Sequence, residues 1–416
     1  MAQLSYQIPD AGHRKTILRI PESHALYLCP NACGRRQGIR ALRNGEADHV
    51  SFLRFSQADI SSGDYEGQVL DAVDELLTTL APRPRVLSLY VNCVDDFLGT
   101  DEESLTEALS AQHPDVRFTF SHINPIAADV AASSAASGIQ ARLYSLLEAP
   151  RVHDAGMTLT GSFVPAGCGE LAEALRAFGF GPVRELPACR TFDDYLDLAR
   201  SGLVLSLSFL GDAPARLMEE RFGIPWRAWH STCDLREIDR RYAELQARSG
   251  GDGRGKDPER VASAVPALRN ARARAEAAVA RARAAVGDLP VFVDSAASLM
   301  PFSLACALLG YGFSVRGVFG LHLKGCDDAA QAQLAAEHPE VAIITHQSHE
   351  AIQGFGFPRE CLAIGQDAAF LVQANHTVDL YHDEGFFGYD GVARLMGAMA
   401  AAVESGASET REGGEA

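Results

Sequence analysis

Nine short apolar runs alternate with helix-length amphipathic segments along almost the whole chain, and this alternation restricts the fold more than any other feature of the sequence. The runs lie at residues 25–28, 50–53, 86–91, 116–122, 157–163, 203–209, 291–294, 315–321 and 341–345. Each is four to seven residues long, as a buried strand is. Between them, apolar residues recur at helical spacing over 67–80, 105–112, 127–147, 170–178, 192–201, 213–221, 235–249, 258–286, 300–309, 329–337 and 391–403. Strand then helix, repeated over 416 residues, predicts an α/β chain built on mainly parallel sheets. The repeat suits several Rossmann-like lobes rather than one barrel. Punctuation divides it into a first lobe over 1–150, a second over 151–285 with a flexible Gly-rich loop at 249–257, and a third over 286–403. The tail, 404–416, is Gly-, Glu- and Ser-rich and is expected to be disordered.

Two of these strands run into cysteine. The first passage is Leu26-Tyr27-Leu28-Cys29-Pro30-Asn31-Ala32-Cys33-Gly34, and the second is Leu89-Tyr90-Val91-Asn92-Cys93-Val94-Asp95-Asp96-Phe97-Leu98-Gly99-Thr100-Asp101. Strand ends are where an α/β fold presents side chains to a shared crevice. Thiolates gathered at one place point to zinc, an iron–sulfur cluster or redox chemistry. The Pro and Gly around Cys33 predict a loop. Cys29 precedes Cys33 by four and reads equally as a third ligand or as a packed thiol. Cys168 lies on a loop after a strand, while Cys189, Cys233, Cys306, Cys326 and Cys361 are scattered and read as structural. No C-x-x-C occurs, which disfavours a thioredoxin-type motif and a zinc ribbon.

Other features exclude more than they assign. A net charge of −17 repels a phosphate backbone, so nucleic acid is a poor partner. No apolar stretch approaches the ~20 residues of a membrane helix, and residues 1–5 carry no secretory pattern. The chain is therefore read as cytoplasmic, where its nine cysteines stay reduced. Residues 250–256 formally satisfy G-x-x-x-x-G-K, but Asp257 stands where a phosphate loop needs Ser or Thr, so the segment reads as a linker and any ATP chemistry falls to another protein. His346, His349, His376 and His382 follow strands or lie in the third lobe and read mainly as solvated or hydrogen-bonded imidazoles. The turn at 385–391 is either an anion-holding helix start or a plain turn with a cap.

The segments, in this order, resemble the component 1 family of nitrogenases and nitrogenase-like reductases, which includes dark protochlorophyllide reductase, the nickel-sirohydrochlorin cyclase and cofactor-assembly scaffolds. Residues 30–34 resemble the family's "GPxGC" turn, and residues 59–77 the passage that follows it. The run from Cys93 to Asp101 resembles its "C-x-x-x-x-I-G-D-D" segment. Met218-Glu219-Glu220-Arg221-Phe222-Gly223-Ile224-Pro225-Trp226 resembles the "YGIPW" passage, and Phe387-Gly388-Tyr389-Asp390-Gly391 the "GYDG" before the closing helix. The resemblance spans residues 20–403. It implies three Rossmann-like lobes and an iron–sulfur cluster, of the 4Fe-4S kind, held by first-lobe thiolates at a subunit interface. Carried onto matching positions, Cys33 and Cys93 become the ligands. Residues 1–28 hold no upstream ligand cysteine, so Cys29 or a partner chain completes the set. The implied partners are an ATP-hydrolysing iron protein and a second component 1 chain, identical or related. Ser206-Leu207-Ser208 stands where the nitrogenase cofactor's cysteine is expected, and its histidine position falls near Val378. The implied function is reduction of a substrate other than dinitrogen, held between lobes; the alternatives are a cofactor scaffold and a non-redox ligand-binding protein of the same fold.

Overall fold

The computed structural model describes residues 18–123, 138–161, 169–248, 265–320, 327–344 and 355–412. The chain divides into two compact units, one of Arg14–Ser162 with Pro182–Ala228, the other of Met1–His13 and Phe163–Gly181 with Trp229–Ala416. Every strand pairing among the described residues is parallel, and the strands form three sheets. The α/β expectation holds. No described helix is long and apolar enough to cross a membrane.

The first unit contains two sheets. One consists of β1 (Ser23–Pro30), β2 (Val50–Phe55), β3 (Val86–Asn92) and β4 (Arg117–Ile123), in the order β2-β1-β3-β4. Leu26 and Leu28 of β1 and Leu87, Leu89 and Val91 of β3 are 3% exposed or less and pack in one core with two helices. These are Tyr65–Thr79, whose Val69, Val73 and Leu77 recur every four residues as a buried stripe, and Glu102–Gln112, which adds Leu105 and Leu109. The alternate residues carry a stacked ladder on the opposite face, Phe52 on Tyr27 at 5.4 Å and Tyr27 on Tyr90 at 4.8 Å. The second sheet has β5 (Met157–Thr160), β6 (Val183–Glu185), β7 (Leu203–Ser206) and β8 (Trp226–Ala228), in the order β6-β5-β7-β8. Gly211 packs so closely here that a Cβ would lie 2.7 Å from the Thr160 carbonyl oxygen.

The other unit carries β9 (Pro290–Asp294), β10 (Ser314–Phe319), β11 (Ala342–Ile344), β12 (Leu362–Ile364) and β13 (His376–Val378), in the order β11-β10-β9-β12-β13. Asp294, fully buried at the end of β9, accepts hydrogen bonds from the amides of Ala297 and Ala368. Gly365 makes room for it: with φ +107° and a would-be Cβ that would overlap the Asp294 carboxylate, only glycine fits. The Ala- and Arg-rich helix Pro266–Val286 packs on the closing helix, which runs from Gly388 to Glu412 and so continues past residue 404.

Four strands, β6, β8, β12 and β13, were not apparent as runs in the sequence; each is three residues long. The loop 249–257, Cys168, Cys326, His346 and His349 lie outside the described residues.

Candidate metal centre

In the first sheet, β1 leads to β2 on one side while β3 and β4 lie on the other, so the strand order reverses between β1 and β3. Open α/β sheets hold ligands outside the carboxyl ends of their strands at such a reversal. Both cysteine passages emerge there. β1 ends at Pro30, and a helix, α1 (Asn31–Asn44), starts at the next residue with Pro30 as its N-cap. Cys33 is in its first turn and exposed. This corrects the loop expected from the Pro and Gly: Pro30, at φ −58° and ψ 155°, opens a helix instead of breaking one. β3 ends at Asn92, and Cys93, half-buried, is the first residue of α2 (Cys93–Leu98).

Asn92 joins the two passages. It is 7% exposed, its Nδ2 donates to the Leu28 carbonyl at 3.1 Å, and its Oδ1 accepts from the Val94 amide at 2.8 Å. One side chain thus fixes the end of β3 to β1 and caps the Cys93 helix. Its place before Cys93 was a possible cap signal; its bond to β1 was invisible in the sequence. The β1–β3 register, Tyr27 opposite Tyr90, places Cys29 level with Asn92 on strands about 4.8 Å apart.

Cys29 is 5% exposed, with its sulfur under α1: a Cβ on Gly34 would lie 2.7 Å from it. Burial, and then the neighbouring Cys33, pushes its thiol up to about 11, so it stays protonated at neutral pH. Of the remaining described cysteines, Cys189, Cys233 and Cys306 are half-buried, as Cys93 is. Cys361 is fully buried, Cys189 donates to the Glu185 carbonyl and Cys306 to the Ala330 carbonyl. Burial pushes Cys233 up to about 12.

Apolar side chains on α1 and α2 face solvent. Phe97 is 87% exposed and Leu42 70%, with Ile39 and Leu98 also exposed. Near Cys93, three donor groups converge. Asp95 of α2, Glu102 of the α3 helix (Glu102–Gln112) and His122 of β4 place one ligand atom each within 4.8 Å of the others, a grouping seen nowhere else among the described residues. Asp95 is 3% exposed and hydrogen-bonds Tyr65; burial raises its carboxyl above the usual range.

Elsewhere, His376 is held between the Ala402 carbonyl at 3.1 Å and Glu360 at 3.1 Å. His382 adopts φ 46° and stacks on Tyr381. The start of the closing helix is already occupied by a carboxyl group: Glu170 accepts from the Asp390 amide, and a Cβ on Gly388 would meet its side-chain oxygen. Burial and Asp390 raise the Glu170 carboxyl. Ser206 and Ser208 are buried and bonded to each other, the Ser206 hydroxyl donating to the Ser208 carbonyl at 2.9 Å.

A search among curated proteins finds no match. Among solved structures, "Nitrogenase Cp1 at pH 6.5" superposes with a TM-score of 0.73 at 16% identity, covering 97% of this chain and 95% of that one. "Nitrogenase Cp1 at pH 5" gives a TM-score of 0.66 at 13% identity over 93% of this chain and 85% of that one. At such identities the likeness speaks to the fold. The sequence profile described as "Nitrogenase component 1 type Oxidoreductase" matches residues 12–404. The chain belongs to the nitrogenase component 1 type oxidoreductase family.

Proposed function

We propose that this chain is a component 1 subunit that holds an iron–sulfur cluster on Cys33 and Cys93, receives electrons from an ATP-hydrolysing iron protein and reduces a substrate other than dinitrogen. The observation that carries the reading is the placement of an exposed and a half-buried thiol at the switch point of one sheet, on helices whose apolar side chains face solvent. The donor set fits: thiolates are the ligands of such clusters, and helix starts favour the negative charge of a thiolate-ligated centre. When bound, the cluster supplies one-electron transfer at a potential tuned by charge, hydrogen bonding and exposure.

The residues of this chain do the rest. Asn92 caps the Cys93 helix and ties the end of β3 to β1, the strand that leads into the Cys33 helix. Cys29, 5% exposed with its sulfur against Gly34 of the Cys33 helix, stays behind them as packing. Two thiols leave a cluster incomplete, so a second component 1 chain, identical or related, supplies further ligands. Phe97, 87% exposed on the Cys93 helix four residues after that thiol, is the apolar side chain we expect it to cover. Inward-bonded Ser206 and Ser208 offer no thiolate to anchor a nitrogenase-type cofactor, which supports another substrate. In this reading the architecture is three lobes, one per sheet.

The test is an oxygen-free preparation with iron and sulfide counted. Cys33→Ala and Cys93→Ala each lose the iron and the visible absorbance, whereas Cys29→Ala keeps both. Iron content unchanged in the first two variants would sink the proposal. Turnover dependent on both ATP and an iron protein separates a reductase from a cofactor scaffold.

A further inference from the structure

The carboxyl edge of the first sheet carries a second donor set that uses no sulfur. We infer that Asp95, Glu102 and His122 form a binding site for one divalent first-row transition-metal ion. The donors are two carboxylate oxygens and one imidazole nitrogen, brought by three elements: α2, α3 and the end of β4. Bonds of about 2.0–2.2 Å put the donor atoms of one coordination sphere roughly 3–4.4 Å apart. Every pair here lies within 4.8 Å, and His122 Nε2 and Glu102 Oε1 are in direct hydrogen-bond contact, so an ion reaches all three once those two side chains rotate apart to admit it.

The set is oriented as well as close. Glu102 turns Oε1 toward His122 Nε2, while its other oxygen, Oε2, lies 3.7 Å from Arg142. Oε1 and the imidazole thus face each other, on the oxygen of Glu102 that Arg142 does not hold. Asp95 completes the triangle from a position 3% exposed, where a buried carboxylate is best matched by a cation. Two carboxylates and a neutral imidazole sum to two negative charges, which a divalent ion cancels. One nitrogen among the donors selects a transition ion over calcium or magnesium, which take oxygen.

The ion would tie the Cys93 helix to its two neighbours and so position that thiol from behind. It would do so with hard donors, leaving the soft sulfurs for a different metal. The competing arrangement has no ion: His122 pairs with Glu102, and Asp95 keeps its Tyr65 hydrogen bond.

Cobalt(II) alone, titrated into the full-length chain free of iron and oxygen, distinguishes these. Thiolate-bound cobalt gives an intense near-ultraviolet charge-transfer band, and cobalt held by nitrogen and oxygen gives only weak visible bands. The Cys33→Ala/Cys93→Ala chain should bind one equivalent with visible bands only. His122→Ala or Glu102→Gln, added to it, should weaken that binding at least about tenfold, the lower end of what loss of even an outer-sphere partner costs. In the chain that retains Cys33 and Cys93, His122→Ala should remove the visible-only component and spare the charge-transfer band, which keeps the test decisive if the doubly substituted chain folds poorly. No stoichiometric cobalt with visible bands in a folded Cys33→Ala/Cys93→Ala chain, or binding unaltered by His122→Ala, would overturn the inference. Neither outcome bears on the iron–sulfur reading, which rests on iron and sulfide in the cysteine variants.

Discussion

Asn92→Ala tests the link between the fold and the thiol pair directly. The substitution removes two hydrogen bonds from a side chain that is 7% exposed. Loss of the cap on Val94 costs about 1 kcal/mol. Leaving the Leu28 carbonyl short of its 3.1 Å donor in a buried place costs about 1–3 kcal/mol more. The total is about 2–4 kcal/mol. For a unit of about 200 residues that corresponds to a fall in Tm of roughly 5–12 °C, followed by near-ultraviolet circular dichroism. Asn92→Asp keeps the acceptor for Val94 but turns an oxygen toward the Leu28 carbonyl, so it should lose the second contribution and retain the first. The chemical readout is separate. In the iron–sulfur reading, Asn92 positions the Cys93 helix without touching the metal, and the Asn92→Ala chain should lose iron to a chelator about 10–100-fold more readily than the wild type. A Tm within 1 °C of the wild type's, or iron released no faster, would refute the claim that Asn92 holds the two passages together.

Three further outcomes follow from particular contacts. Gly365→Ala should destabilise its unit by about 3 kcal/mol or more, since the new methyl meets the Asp294 carboxylate at φ +107°. Gly179→Ala, at φ +83° with nothing within 4 Å, should cost only about 1 kcal/mol, and denaturant melts of the two variants give the comparison. His24 is 5% exposed, its Nε2 lies 2.8 Å from the Ser51 hydroxyl, and burial followed by the nearby His49 lowers it to about 4. Its folded value lies below the unfolded ~6.5, so the stability it permits is present above pH ~6.5 and is lost as pH falls toward 4, by at most about 3 kcal/mol. His24→Gln should flatten that acid limb in melts taken across the same pH range; an unchanged slope would contradict it.

The longer strands and the helices with one apolar stripe could be read in advance because burial on one face imposes a period. Val69, Val73 and Leu77 are the clearest instance. Strands of three residues, such as Leu362–Ile364, have no room for a period, although all three side chains are buried. The two thiol passages were legible as strand ends, but the helix at Cys33 was not. Pro30 and Gly34 have two local meanings, and the choice was made by tertiary packing, with Gly34 lying against the Cys29 sulfur. The Asp95, Glu102 and His122 group could not be foreseen at all. Its members come from separate elements, and only the pairing of Val91 with His122 across β3 and β4 brings them level.

The placement of β3 beside β1 also sets an order of events in the life of the chain. Cys33 leaves the ribosome long before Cys93, and the ends of β1 and β3 that lead into the two passages come side by side only when residues 86–92 have been made and have closed a long-range parallel pairing. In the proposed iron–sulfur reading, a metal offered to the nascent chain before that pairing would meet Cys29 and Cys33 without Cys93. A centre held by Cys33 and Cys93 together would then be loaded after the first sheet has formed, and whatever delivers it would recognise a folded surface, not a linear stretch of residues.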